Sequence, residues 1–257
     1  IKNMKDDFAK LRHLYSPVTG YNPELFTVQR EELGELGIMA VNIHVPGFPA
    51  YIDSFDGNLE SLTFAYYDYP DLFEELRLLH HKQAVSSAEI VADSGIVDSV
   101  LLGMSGAITL QSPELFDALS LPTIKEVTKI LKTAGVVTGL HSCGKEYHIV
   151  KRCAEETDLD YINPLEVPPM GDCSLARLSE EFGDKIALMG NLHTTKVMLD
   201  GTVDDVRGQS LQAIRDAGIN GGFVLSTGDQ CGMWTPLENI REMVRTVEEC
   251  GYYPLQP

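Results

Sequence analysis

The sequence predicts an α/β protein of the (β/α)8-barrel (TIM barrel) type whose N-terminal strands lie outside this chain, and three observations predict it. Six short segments rich in branched apolar residues alternate with longer segments of helical spacing. No glycine-rich phosphate fingerprint follows any of the six, and Gly103-Met104-Ser105-Gly106 is too short to be one. Residue types that bind metals or polar substrates stand just past the carboxyl ends of several different strands, which a barrel gathers at one mouth.

In chain order, residues 1–36 read as helix and loop, and the apolar runs predict strands over 37–44, 97–103, 136–141, 160–165, 186–191 and 222–227. Between and after them, helical spacing predicts helices over 72–94, 124–134, 145–157, 174–182, 203–217 and 237–250. The punctuation agrees: Pro122 precedes one helix, Gly171 and Asp172 precede another, and Thr235-Pro236 offers an N-cap with proline at the first helical position. Strand–helix alternation with continuous apolar strands means a parallel sheet covered by helices. Six units are two short of eight, and the chain begins at Ile1, so the missing strands are expected to precede it and residues 1–257 to form one barrel domain, about three-quarters of the fold. The stretch 46–69, with Pro46, Gly47, Pro49, Gly57 and the Tyr66-Tyr67-Asp68-Tyr69-Pro70 run, reads as the longest irregular insertion and is expected to cover the mouth.

Composition narrows the function. With 257 residues, 44% of them hydrophobic and 23% charged, the chain can bury a sizeable core. Lys and Arg number 20 against 38 Asp and Glu, a net charge of −18, and the basic residues are interleaved with acids, so a nucleic-acid partner is excluded. Five cysteines, an odd number in a chain too long to need disulfide staples, point to a reduced, cytoplasmic setting. No run approaches the roughly 20 apolar residues that span a bilayer.

The residues with chemistry begin at His141-Ser142-Cys143-Gly144, directly after an apolar run. Side chains at i and i+2 of an extended segment face the same way, so an imidazole and a thiol project together, which is half a zinc site. Glu166 and Cys231 follow at the ends of later strands, 23 and 88 residues beyond Cys143. One imidazole, two thiolates and a carboxylate suit tetrahedral Zn²⁺ better than Mg²⁺ or Ca²⁺, with Glu166 as the replaceable ligand. Cysteine is also among the most buried residue types, so an isolated pair fits core packing as well; strand-end placement is what raises the metal reading. Cys153 and Cys250 read as core or boundary residues, Cys173 as a somewhat reactive thiol at a helix start, and His80-His81 as a solvated or boundary pair. Asn42, His44, Met104, Asn191, His193 and Trp234 are substrate-contact candidates, and Trp234 with Tyr66, Tyr67 and Tyr69 could wall a planar ligand.

Four stretches carry a family resemblance. They are the segment 101–116 (LLGMSGAITLQSPELF), His141-Ser-Cys-Gly144, Met189-Gly-Asn-Leu192 with the segment 199–206 (LDGTVDDV), and Gly222-Phe-Val-Leu-Ser-Thr-Gly228 through the segment 235–244 (TPLENIREMV). Together they resemble the uroporphyrinogen decarboxylase superfamily, from about the middle of that fold to its end. The resemblance implies a (β/α)8 barrel and one of two activities. The decarboxylase branch resembles Gly-His-Gly near the last strand and lacks the His-x-Cys pair. Here Cys231 stands in that region and His141-Ser142-Cys143 is present, as in the zinc methyltransferases that work with corrinoid proteins on coenzyme M or on methoxylated compounds. The resemblance carries zinc binding to His141, Cys143 and Cys231, and by position to Glu166, which would also serve catalysis. It implies a corrinoid-bearing partner protein and a small methyl ether, methylamine or thiol. A metal-free tetrapyrrole decarboxylase and a binding protein with structural zinc are the alternatives.

Overall fold

The computed structural model describes residues 1–255. All six predicted strands are present, five trimmed by a residue or more and β5 shifted by one: β1 (Ala40–His44), β2 (Ser99–Gly103), β3 (Val137–His141), β4 (Tyr161–Asn163), β5 (Ala187–Leu192) and β6 (Phe223–Thr227). They lie in one sheet in chain order, β1 to β6, with β1 and β6 as its edges, an unclosed portion of the predicted (β/α) barrel. The strand pairings described, β1 with β2, β4 with β5 and β5 with β6, are parallel. Among the described residues, no helix is long and apolar enough to cross a membrane.

The chain divides into two compact units. The first comprises Ile1–Gly139 with Glu156–Asp158. It opens with α1 (Met4–Leu14) and α2 (Pro23–Leu33), whose first turns are capped by the side chains of Asn3 and Asn22. Within it β1 and β2 run in register from Ala40 beside Ser99 to His44 beside Gly103.

The stretch 46–69 corrects the expectation of an irregular cover. It folds into α3 (Phe48–Tyr51), a 3-10 turn (Ile52–Ser54) and α4 (Asn58–Asp68). Phe48, Tyr51, Phe55, Leu62 and Ala65 are buried in one apolar cluster with Met4, Phe8 and Leu11. Prolines and glycines set its turns, but its aromatic residues recur every three or four positions and are drawn into the core. Tyr66 belongs to the same packing, its ring 5.0 Å from that of Phe73, and Tyr67 is exposed, so the aromatic run builds core and surface rather than a ligand wall.

The long helix α5 (Pro70–Ser94) buries Phe73, Leu76, His80, Ala84 and Ala88, a stripe at spacings of three and four. That stripe overturns the boundary reading of His80, which is 2% exposed and lies beside Tyr15 and Tyr51 with ring centroids 4.5 and 5.6 Å away. Its charged sequence neighbours occupy other faces of the same helix. After the short α6 (Ala107–Leu110) and α7 (Pro113–Leu119), α8 (Leu121–Thr133) packs against α5 and buries Leu121, Ile124, Val127 and Leu131. Pro122 sits inside its first turn rather than before it.

The second unit comprises Leu140–Glu155 and the chain from Leu159. It holds α9 (Tyr147–Glu156) but for its last residue, β4, α10 (Leu175–Phe182), β5, α11 (Val203–Ala213), β6 and α12 (Leu237–Cys250). α11 opens on a capping box between Thr202 and Asp205 and runs into a π-type turn (Ile214–Gly218), so the predicted helix 203–217 is present in two forms. α12 begins at Leu237 with Pro236 as its N-cap residue, one position later than the Thr235-Pro236 signal implies. It buries Glu242 at 3% exposure against Arg207 and Arg245, 3.0 and 2.6 Å away.

Candidate metal centre

β3 delivers His141 at its last position, and the loop beyond it carries Cys143. The apolar run ahead of them, with Leu140 fully buried, anchors the strand and leaves the half-buried imidazole and thiol beyond its carboxyl end. The imidazole Nδ1 lies 2.9 Å from the Asn163 side-chain oxygen at the end of β4. With that oxygen accepting, Nδ1 carries the proton and Nε2 is left with its lone pair, the orientation a metal-binding histidine needs. Asn163 is held in turn by its amide nitrogen, which donates to the Met189 sulfur at 3.5 Å.

The loops after β3 and β4 are joined. The backbone N–H of Gly144 donates to Glu166 Oε2 at 2.5 Å, and that of Leu165 donates to Glu146 Oε2 at 2.5 Å. Asp172 accepts from the backbone N–H groups of Glu146 and Tyr147 at the start of α9. Gly171 seals the junction: a Cβ there would stand 2.0 Å from the Glu166 carbonyl oxygen and 2.6 Å from that of Gly144. Only glycine fits so close an approach.

The loop after β6 completes the geometry. Donor atoms of His141, Cys143 and Asp229 lie within 4.8 Å of one another, close enough to share one ion. Asp229 has a φ of 142°, a region that residues with side chains rarely occupy and that concentrates at ligand-holding positions. Asp229 is the ligand type that sequence reasoning misses: it stands directly beyond an apolar strand, but a preference for soft ligands selects Cys231 two residues later.

Cys231 is not gathered with these three. It packs against the cluster of Leu192, Met198 and Val206, alongside Leu225, Ile240 and Met243. Nor is Glu166, although it is only 6% exposed and lies near the group. Burial foremost pushes its carboxyl above the ordinary range; the Gly144 N–H bond opposes that, the charge of Asp229 adds to it, and His193 and His141 act in the opposite sense.

Of the other candidates in this unit, Asn191 is buried and spends its amide on the Leu165 carbonyl at 3.0 Å, holding the β4 loop rather than presenting a free polar group. His193 Nδ1 accepts from the backbone N–H groups of Thr195 and Lys196, which leaves the proton on Nε2. Trp234 is 79% exposed. Cys173 is buried and its thiol is pushed far up by that burial, so the expected reactivity is overturned: it stays protonated. In the first unit, Asn42 and His44 are exposed at the end of β1, the His44 ring fitting against Gly103, where a Cβ would stand 3.2 Å from its Nδ1. Met104 is 2% exposed and belongs to the core.

The donor set fits zinc. An imidazole aligned through its second nitrogen, a thiol and a carboxylate converge at strand ends, and a borderline-soft divalent ion takes that mixture.

The uroporphyrinogen decarboxylase (URO-D) profile matches residues 59–250, and the chain belongs to that family. It is 26% identical over 183 residues to methylcobamide:CoM methyltransferase MtaA of Methanosarcina barkeri, covering 71% of this chain and 50% of that protein. Its counterpart in strain Fusaro is 26% identical over 197 residues, with the same coverage. The chain therefore spans about half the length of the curated relatives it matches. Among solved structures, a methyltransferase from Methanosarcina mazei superposes with a TM-score of 0.68 at 22% identity, over 90% of this chain and 64% of that one. A B12-independent methionine synthase from Shewanella sp. W3-18-1 superposes with a TM-score of 0.52 at 12% identity, over 91% and 66%. These two likenesses establish the shared fold.

Proposed function

We propose that this chain is the substrate-activating part of a zinc-dependent methyltransferase, which moves a methyl group between a small substrate and the cobalt of a corrinoid held by a separate protein. The observation that carries the reading is the convergence of His141, Cys143 and the loop after β6 within metal-binding distance. Likeness to methylcobamide:CoM methyltransferases supports methyl transfer as the reaction class.

In this reading His141 and Cys143 hold the ion, and the loop after β6 supplies Cys231, which turns out of its apolar cluster to reach the ion, with Asp229 as the carboxylate already within reach. Between a thiolate and a carboxylate on one loop, zinc favours the softer donor. Glu166 is the fourth, replaceable ligand, because a catalytic site keeps a position that opens to substrate. Bound there, zinc would supply Lewis acidity, making a thiol available as thiolate at neutral pH or stabilising the oxygen of a methyl ether as its methyl leaves. Asn163 keeps the His141 ring in the ligating tautomer, and His193, with Nδ1 engaged by backbone, offers an Nε2–H donor at the same strand ends.

The test follows the cobalt absorbance spectrum of reduced corrinoid incubated with the protein and a panel of methyl ethers, methylamines and methyl thiols, beside a porphyrinogen decarboxylation control. Methyl-cobalt formation that disappears in His141→Ala and Cys143→Ser is the expected result. Decarboxylation that survives both substitutions, with no cobalt methylated by any donor, would overturn the proposal and assign the chain to the decarboxylases.

A further inference from the structure

We propose that Glu146 is a positioning residue of the metal centre, its buried carboxyl clasping the loop that carries Glu166 to the loop that carries His141 and Cys143. The proposal rests on the metal reading above and concerns a residue outside the ligand set. Glu146 is fully buried three positions beyond Cys143. Its Oε2 accepts the Leu165 N–H at 2.5 Å, and the N–H of Glu166 is directed at the same carboxyl. In the reverse direction Gly144 donates its N–H to the Glu166 carboxylate at 2.5 Å. The two loops thus hold each other by crossed bonds, each giving backbone N–H to a carboxyl on the other.

Local structure does not require a glutamate here. The first turn of α9 is already capped by Asp172, which accepts from both Glu146 and Tyr147. Packing alone would be met by an apolar side chain, since burying a carboxyl is unfavourable unless it is bonded. Among the described residues the second oxygen, Oε1, has no hydrogen-bond partner, so the side chain carries a burial penalty on one oxygen while the other aligns backbone. What that alignment sets is the spacing between Cys143-Gly144 and Leu165-Glu166, the two sides of the centre that belong to different strands. Outer groups of this kind tune metal affinity by about 10–100-fold.

The experiment uses free Co²⁺ as a spectroscopic stand-in for zinc, measuring affinity by chelator competition and the thiolate-to-cobalt absorption band in the full chain. Glu146→Gln keeps an oxygen acceptor for both amides and is expected to bind as wild type does, with an unchanged band. Glu146→Leu leaves the Leu165 and Glu166 N–H groups unpaired. It is expected to bind about 10–100-fold more weakly with an altered band, while circular dichroism shows it folded. Should the leucine variant fail to fold, Glu146→Asp withdraws the acceptor by one methylene and is expected to weaken binding about tenfold. A folded Leu or Asp variant with wild-type affinity and band would overturn the positioning role while leaving the metal reading intact. A Gln variant as weak as the Leu variant would overturn the acceptor role. Wild-type protein that takes up no Co²⁺ would overturn the metal reading itself, and this proposal with it.

Discussion

His80 makes the first unit's stability depend on pH in a calculable way. Burial foremost, with the nearby His44 charge adding, pulls its imidazole from the ordinary 6.5 down to about 3. The ring is therefore neutral in the folded chain, wedged beside Tyr15 and Tyr51, with Nδ1 3.4 Å from the Tyr51 hydroxyl. Because the folded-state pKa is depressed, the unfolded chain binds the extra proton. The contribution is fully present above the unfolded value of 6.5 and is lost as pH falls through the window towards 3. At 1.36 kcal/mol per unit, a fall from pH 7 to pH 5 takes about 2 kcal/mol from the folded state. His80→Phe keeps an apolar ring and does not titrate. Urea unfolding of wild type and variant at both pH values, followed by far-UV circular dichroism, isolates the effect, since every other titrating group cancels in the comparison. The variant is expected to be less stable at pH 7 and to lose about 2 kcal/mol less on acidification. Equal acid sensitivity in the two proteins would refute a neutral, buried His80.

Three further predictions concern the metal centre. Cys231→Ser is expected to weaken zinc binding about a hundredfold, a ligand's share of a site worth roughly 10–16 kcal/mol, and Asp229→Asn only several-fold; isothermal titration that ranks them the other way would make the gathered carboxylate the ligand. Asn163→Leu removes the acceptor that fixes the His141 tautomer and is expected to lower metal affinity about 10–100-fold without unfolding the chain, as chelator competition would show. Gly171→Ala forces a Cβ to within 2.0 Å of the Glu166 carbonyl oxygen, so the loops after β3 and β4 must part. A loss of several kcal/mol of stability or of metal binding is expected, and a variant with wild-type melting and zinc content would contradict that packing.

How much of this was legible in the sequence depended on whether a feature was periodic or relational. β2 and β5 announce themselves as continuous apolar runs because both faces of a parallel sheet are covered, and the observed strands fall within a few residues of those runs. His141 and Cys143 were legible for a related reason: a period of two puts them on one side of an extended segment. The segment 46–69 reads as irregular because Pro46, Gly47, Pro49 and Gly57 punctuate it, whereas Phe48, Tyr51, Phe55 and Leu62 follow a helical rhythm interrupted by turns. His80 reads as a boundary residue from its charged neighbours in sequence, whereas its neighbours at every third or fourth residue decide its burial. Asp229 and Cys231 differ in a subtler way. Both stand on one loop beyond β6, and which side chain faces His141 is fixed by the backbone at Asp229 and by the apolar cluster that receives Cys231. Glu146 is the extreme case. Beside Lys145 it reads as one more charged surface pair, yet it is buried because two amides 19 and 20 residues further along need an acceptor. The ligands of such a centre are visible as residue types at strand ends. The groups that hold those ligands in place are defined only by what the fold brings to them, so the test of the site lies as much in Asn163, Gly171 and Glu146 as in the histidine and cysteine that first mark it.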